Sequence, residues 1–525
     1  MSSSNRQQRF LRAFLASVLG TGLSRVLGAV RDVVVAGWLG AGASSDAFFI
    51  AFTVPNVFRR FVADEGLTGA LIPALSRADA DPDPHASKRL VNTVLSALLI
   101  ANLVLCTLGV IFAEPLVLAF AWSYAEDPEQ LALTVKLTRW TFPFLGMVSL
   151  VSFFEGLLNH RGHFFTPKVA PGLVSAGMAA SLVIGADWVD EPALALAVGV
   201  LVGGTAHVLV NVPMVFRLWG VPGLALAFRD PRFRRVATEL GKVIVIGVFA
   251  QLNIFVLRGL ASTLEYGAVT CYWNANRVVD LAQGVIAVAI GSALLPNISQ
   301  AVADAAWERF RSDLVGAFRL ASFLLLPAAM VIGVFGTPIV SVLFRHGAYS
   351  WADAQDTSLT LRLMIPFLLA VAGMNIIKKV YFALDDRITL LKVGALGVAL
   401  TAGLGCALVG PLGVAGLGLA LSGATVIQLG VYVIVLQRRL GENLGLGALA
   451  SPLLRMCLAC TPAAGVLAAA ALFGDWALGP SYPLNLALVA CGLAAAAVAY
   501  MATATALNVR EATLVLGRLR ARIGR

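Results

Sequence analysis

The sequence is poor in charge and lacks every common catalytic signature. Of its 525 residues only 13% are Asp, Glu, Lys or Arg, about half the ~25% usual for a soluble protein. Meanwhile 59% are hydrophobic, and mean hydropathy is +0.84. A chain this short of charge along its whole length excludes a soluble globular protein. The six cysteines (Cys106, Cys271, Cys406, Cys457, Cys460 and Cys491) all lie in apolar stretches. Cys457 and Cys460 form a single CxxC with no second pair and no nearby His, so they read as packing residues rather than metal or redox ligands. There is no Walker A, no HExxH and no GxSxG. The carboxylate-rich "ADADPDPHA" (Ala78 to Ala86) is interrupted by Pro82 and Pro84 and reads as a loop. His160 and His163 in "NHRGHFFTPK" need no role beyond a polar turn. No catalytic residue, metal or cofactor is expected, and the chain reads as a transporter, not an enzyme. Arg6, Arg9 and Arg12 precede an apolar stretch longer than a cleavable signal.

What is present is a succession of long apolar runs. A spanning helix needs about 20 mostly apolar residues. Fourteen such runs lie near 10–36, 44–62, 89–114, 132–158, 166–186, 192–218, 236–262, 266–295, 314–344, 356–383, 388–409, 412–438, 451–473 and 483–507. The expected fold class is an all-α polytopic membrane protein. Lys and Arg concentrate in alternate connections: the N-terminal tail, 59–89, Arg161 and Lys168, the run Arg229 to Arg235, Arg309 and Arg311, Arg438 and Arg439, and the tail from Arg510. The positive-inside rule then places both termini in the cytoplasm, with Arg345 as the exception. The formal net charge of +10 follows from this bias and implies no nucleic acid; an anionic inner leaflet attracts the same residues.

A short repeat divides the chain. "GALIPALSRA" (Gly69 to Ala78) and "SALLPNISQA" (Ser292 to Ala301) share five of ten positions, and six apolar runs separate them. This predicts two six-helix lobes, 1–222 and 223–440, around a central cleft. Two further helices and a basic tail would follow at 441–525. A substrate held between two such repeats is a common transporter plan.

Charges inside the runs are the informative residues, because an Arg at the bilayer centre costs about 2.5–3.5 kcal/mol even on insertion scales. They are Arg25, Arg31 and Asp32; Asp46 and Arg59; Arg258; Arg277 and Asp280; Arg362, Lys378 and Lys379; and Lys392. Arg25 and Asp32 are seven apart and share a helix face, so a structural pair between them is one reading. The other is a cationic cleft. Arg25, Arg31, Arg59 and Arg60 outnumber Asp32 and Asp46, and Arg277 adds a third helix. Arginine's planar fork suits phosphate, so the cleft points to an anionic, phosphorylated substrate. Arg60 also fits a topology anchor at a helix end. Asn375 and Lys379, one turn apart, are candidates for an ion-coupling position in which the lysine replaces a bound cation.

The stretches "SRVLGAVRDVVVAGWLGAG" (Ser24 to Gly42), "SDAFFIAFTVPNVFRR" (Ser45 to Arg60) and "LIPALSRA" (Leu71 to Ala78) closely resemble the lipid II flippases, the MurJ or MviN family of the multidrug and oligosaccharidyl-lipid exporter superfamily. Fainter echoes continue in "NANRVVDLAQGVIAVAIGSALLPNIS" (Asn274 to Ser299), "FRHGAYS" (Phe344 to Ser350) and "YFALDDRIT" (Tyr381 to Thr389), thinning after about residue 410. The resemblance implies alternating access in a bacterial cytoplasmic (inner) membrane. Its cargo would be undecaprenyl-diphosphate bearing a peptidoglycan precursor, moved to the outer leaflet. Partners would be that lipid-linked glycan diphosphate, membrane lipids and cell-wall synthesis enzymes. The family's substrate arginines would fall on Arg25 and Arg31 (SRxxGxxRD), Arg59 (PNxxRR) and Arg277. Gate or charge-pair residues would be Asp32, Asp46, Arg60, Asp64, Glu65 and Asp280, and the last two helices would hold the lipid tail. The chain departs from the family pattern at Asp64–Glu65–Gly66, at Asn276 and at Leu390.

Rival readings are a flippase for another polyprenyl-diphosphate-linked glycan, a cation-coupled drug exporter and a membrane enzyme acting on polyprenyl-linked sugars. The exporter would favour an acidic cleft, and the enzyme would need a carboxylate cluster or a large extramembrane domain.

Overall fold

A computed structural model describes residues 3–62, 65–293, 300–302, 304, 306–441 and 444–523. Among them there is no strand, and the regular elements are helices. The expected all-α membrane architecture is what the chain adopts. Ten stretches among the described residues are long and apolar enough to cross a bilayer. They coincide with ten of the fourteen runs. Of the other four, 10–36, 44–62 and 236–262 also fall on helices, and 266–295 does so from Ala268 to Ala293.

The chain divides into two compact units, Met1–Thr270 and Cys271–Arg525. The first contains α1 (Ser3–Leu39), α2 (Ala43–Val62), α3 (Glu65–Asp79), α4 (Ala86–Ile111), α5 (Ala113–Phe120), α6 (Pro128–Thr141), α7 (Phe144–His160), α8 (Phe165–Val169), α9 (Pro171–Gly185), α10 (Pro192–Trp219) and α11 (Pro231–Ser262). α10 packs on α9 and α7, α1 on α9, α2 on α6, and α11 on α3 and α2. The division at 270 thus keeps α11 with the helices before it. In the sequence repeat, residues 294–299 of the second copy lie outside the described residues.

The second unit runs through most of α12 (Ala268–Ala293), then α13 (Trp307–Phe344), α14 (Trp351–Leu363), α15 (Ile365–Ala383), α16 (Arg387–Leu412), α17 (Val414–Leu440), α18 (Ala450–Leu472), α19 (Pro483–Ala506) and α20 (Arg510–Ile523). α16 packs on α17, α18 on α19, and α13 on α18 and α19. Phe323, Phe335, Met456, Ala463 and Tyr500 form a buried core among those three helices.

Local chemistry fixes the helix starts. Asp127 accepts from the Gln130 N–H and Asp230 from the Arg232 N–H, each just before a proline at the first helical position. Ser350 and Asp353 form a reciprocal capping box at α14. Close approach explains one glycine pair: a Cβ on Gly177 of α9 would lie 2.6 Å from the Gly203 Cα of α10. Such small-residue seams let helices associate in lipid, where hydrophobicity gives no drive between them.

Prolines inside membrane helices strip a carbonyl of its N–H partner four residues back. Three of those carbonyls find a hydroxyl. Pro55 releases the Ala51 carbonyl, and Thr141 Oγ1 lies 3.3 Å from it. Pro327 releases Phe323, whose carbonyl accepts from Tyr500 Oη at 2.9 Å. Pro462 releases Leu458, which accepts from Thr461 Oγ1 at 2.8 Å. Lipid offers no such partner, so the released carbonyls need these hydroxyls.

Candidate functional site

In the first unit the charges of α1 separate into two kinds. Arg31 and Asp32 are each only 6% exposed. Arg31 Nη2 and Nε donate to Asp32 Oδ1 at 2.6 and 3.0 Å, and Nη1 lies 3.9 Å from Met178 Sδ of α9. Arg25 is exposed and makes no ion pair among the described residues. The face-sharing pair considered between Arg25 and Asp32 does not form; the adjacent Arg31 takes the carboxylate. Seven-residue spacing brings two side chains to one face, but a flexible arginine can fold back on its neighbour and reach first.

Asp46, 2% exposed, is a carboxylate with both oxygens bonded. Its Oδ2 accepts from the Gly267 N–H at 2.8 Å, and its Oδ1 accepts from the Thr270 N–H at 2.8 Å and Thr270 Oγ1 at 2.6 Å. Ser45 Oγ stands 3.0 Å from Thr270 Oγ1. The carboxylate therefore occupies the positive N-terminal end of α12, whose first turn begins at Ala268. Gly267 makes this possible with a φ of +97°, and a Cβ there would meet the Ala41 carbonyl oxygen at 2.9 Å. The sequence reading missed Gly267 and Thr270. They lie more than 200 residues from Asp46, and nothing in local spacing links them.

Arg59 is half-buried near the end of α2. Its charge bears on His207 of α10, which is buried with both ring nitrogens lacking a hydrogen-bond partner among the described residues. Asn211, fully buried one turn on, donates to the His207 carbonyl at 2.9 Å. These two polar residues went unnoticed in the sequence because they are uncharged; the signal was a His inside a long apolar run. Arg60 and Glu65 lie in helices, but their side chains, and Asp64 altogether, are outside the described residues. Arg258 is buried, with Nη1 3.4 Å from the Val269 carbonyl.

In the second unit Arg277 is half-buried on α12. Its guanidinium lies 5.2 Å from the Trp273 ring centroid, and Nη1 is 3.9 Å from Asp280 Oδ2. Asn276, where the family often has an acid, donates to the same Asp280 oxygen at 3.3 Å. An amide here can share Asp280 with Arg277, where a second carboxylate would repel it. Asn375 is exposed on α15 and Lys379 half-buried one turn later. Among the described residues no group of His, Cys, Asp and Glu is arranged to hold a metal ion.

A second cluster, built from loops and helix ends, surrounds Asp79. Asp79 Oδ2 lies 2.8 Å from His160 Nε2 and 3.8 Å from Arg161, while Ser87 Oγ donates to Oδ1 at 2.5 Å. Arg161 also stacks over Trp219 at 4.4 Å. Partial burial works against ionisation of Asp79, but the bonds from Ser87 and His160 and the Arg161 charge prevail and hold its carboxyl below the usual range. "ADADPDPHA" is thus a hydrogen-bonded turn: Asp83 accepts from the His85 N–H and pairs with Arg89, and Asp81 pairs with Arg232 at 2.8 Å.

Comparison with known proteins places these residues in a family. The sequence model of the lipid II flippase MurJ matches residues 35–506. A lipid II flippase MurJ of Burkholderia cenocepacia is 31% identical over 394 residues, covering 74% of this chain and 76% of its own. A probable lipid II flippase MurJ of Bdellovibrio bacteriovorus is 28% identical over 455 residues, 86% of this chain and 87% of its own. Among solved structures, a lipid II flippase MurJ in an inward closed conformation superposes with a TM-score of 0.76 at 19% identity, covering 94% of this chain and 99% of that one. An inward-facing multidrug resistance MATE transporter superposes at 0.67 with 16% identity, covering 81% and 98%. Those two likenesses establish a shared fold. The family match and the Burkholderia relative establish more: this multi-pass membrane chain belongs to the MurJ family of lipid II flippases.

Proposed function

We propose that the chain moves undecaprenyl-diphosphate-linked peptidoglycan precursor, lipid II, from the cytoplasmic to the outer leaflet of the bacterial inner membrane by alternating access, with both termini cytoplasmic. It performs no catalytic step. The observation that carries the reading is an exposed Arg25 without an ion pair on a membrane helix of a lipid II flippase family member. An arginine retained in a membrane segment is expensive unless it serves water, a partner or an anion. Arg25, Arg59 and Arg277 hold the diphosphate through bidentate hydrogen bonds. Arg31, neutralised by Asp32, keeps α1 in shape, and Asp46 and Asp280 act as gate or charge-pair residues. The six-helix lobes 1–222 and 223–440 are the moving parts, and the final two helices take the lipid tail. Asn375 and Lys379 are the ion-coupling candidates, with the lysine standing in for a bound cation. Transport that collapsed on removing sodium at fixed membrane potential would reject that assignment.

The test is rescue of cells depleted of their own lipid II flippase, with membrane insertion checked in parallel. Wild type should restore growth, and well-inserted Arg25→Ala, Arg59→Ala and Arg277→Ala variants should not. Failure of an inserted wild type, alongside rescue of cells lacking a flippase for another polyprenyl-diphosphate-linked glycan, would transfer the function to that cargo.

A further inference from the structure

The connection between α10 and α11, "GVPGLALAFRD" (Gly220 to Asp230), is an apolar stretch in a position where a water-facing loop is expected. Val221, Leu224 and Leu226 are 69%, 73% and 71% exposed, and Phe228 is exposed beside them. The segment has no regular secondary structure, yet it is fixed to the molecule. The Gly223 N–H donates to Asn92 Oδ1 and the Ala225 N–H to Ser96 Oγ, both at 2.9 Å. Leu224 and Leu226 are exposed while Ala225 between them is half-buried. Phe228 lies in a turn, where the Asp230 N–H donates to the Ala227 carbonyl, and it braces on Phe233 at 5.6 Å.

The docking point fixes the depth. α4 has 26 residues, about 39 Å at 1.5 Å per residue, against a hydrocarbon core of about 30 Å. Asn92 and Ser96 lie about 9 and 15 Å along it from Ala86. The lipid-facing run of Leu99, Ile100, Leu103 and Val104 follows directly. Centred on α4, a core of that thickness would begin about 4–5 Å from Ala86, so the segment docks within roughly the first 5–10 Å of it, the depth of an interfacial element.

The charges of the segment that make no ion pair among the described residues are of one sign. Arg217, Arg229, Arg234 and Arg235 are exposed and make no ion pair among the described residues, whereas Arg232 is committed to Asp81 and Asp230. Arg235 also borders an open groove of about 470 Å³, floored by Gly66, Gly69 and Pro73 and flanked by Arg77 and Glu239. Arg77, too, has no ion pair among the described residues. Apolar side chains outward and guanidiniums beside them are the two requirements of a segment lying in an anionic membrane surface.

We propose that residues 220–235 form an interfacial anchor that binds anionic phospholipid, with Leu224, Leu226 and Phe228 among the acyl chains and Arg229, Arg234 and Arg235 on headgroup phosphates. Assignment to the inner leaflet rests on the topology proposed above; the lipid contact rests on neither topology nor cargo, and symmetric lipid separates the two.

The full chain in detergent is titrated with phosphatidylglycerol and with phosphatidylcholine, following bound lipid by native mass spectrometry. Phosphatidylglycerol should bind more tightly. Each arginine neutralised should weaken it about fivefold, so Arg229→Gln/Arg234→Gln/Arg235→Gln should lose roughly 100-fold, leaving phosphatidylcholine unchanged. Inorganic phosphate should not compete; displacement by it would give these arginines a soluble anion instead. In vesicles of lipid brominated near the headgroup, the extra emission of Leu224→Trp over wild type should be quenched. Absence of quenching, meaning water or protein covers the segment, would overturn the proposal. So would equal affinity for the two lipids, or a triple variant that binds like wild type.

Discussion

Replacing Asp46 by alanine tests a buried carboxylate of the first unit whose two oxygens are both bonded. Asp46 is the acceptor for two backbone N–H groups and one hydroxyl, all within 2.8 Å. Each bond to a buried carboxylate contributes about 1.5–3 kcal/mol, and both amides sit where the helix end favours negative charge. Removing the side chain leaves the Gly267 and Thr270 amides without acceptors, and their local opening becomes easier by about that amount per bond. Hydrogen exchange of the 264–273 peptide in detergent should then accelerate roughly 10- to 100-fold. Thr270→Val deletes only the hydroxyl bond and should produce about a tenfold change, the low end of that range. Exchange in Asp46→Ala indistinguishable from wild type would refute the reasoning, because the carboxylate would then not be holding the first turn of α12.

Arg31→Leu or Asp32→Leu alone should destabilise the chain by about 3–5 kcal/mol by stranding a buried charge, whereas the double Leu variant should recover most of that loss; melting in detergent separates the outcomes, and a double variant no better than the singles would deny the pair. Arg59→Lys should fail in the growth-rescue assay nearly as completely as Arg59→Ala, since a point charge does not replace a bidentate fork; a fully active Lys variant would count against diphosphate binding there. Asp79, its carboxyl held below the ordinary range, contributes stability that is present above the unfolded-state value near pH 4 and lost as pH falls through its lower folded value. Asp79→Asn should flatten that part of the melting-temperature profile, and an unchanged profile would show that the contacts of His160, Ser87 and Arg161 are energetically idle.

Much of the helical plan was legible because the bilayer imposes a single length and forbids unpaired backbone; the runs at 89–114 and 192–218 fall on α4 and α10 with shifts of only a few residues. The charged residues stood out for the same reason. Their partners did not. Arg31 satisfies Asp32 through a side-chain fold that helix-wheel geometry does not encode. Asp46 is met by Gly267 and Thr270 across a long sequence separation, through backbone amides that carry no side-chain signature. His207 and Asn211 were hidden by their neutrality. In the sequence the connection at 220–230 stands out only by its basic end, and the outward-facing Leu224 and Leu226 gain meaning once Asn92 and Ser96 are seen to hold its backbone against α4.

The hydroxyl of Tyr500 on the Phe323 carbonyl makes α19 part of the long helix it touches. A gene fragment ending before residue 483 would leave that carbonyl bare in hydrocarbon, at several kcal/mol, and would empty the core shared by Phe335, Met456 and Tyr500. The closing pair of helices is therefore not a cassette that could be trimmed or exchanged between relatives at will. Any chimera must carry the proline and the tyrosine together, and the requirement runs on past Ala506, because Val509 and Ala512 are buried in the same core and Glu511 pairs with Arg319.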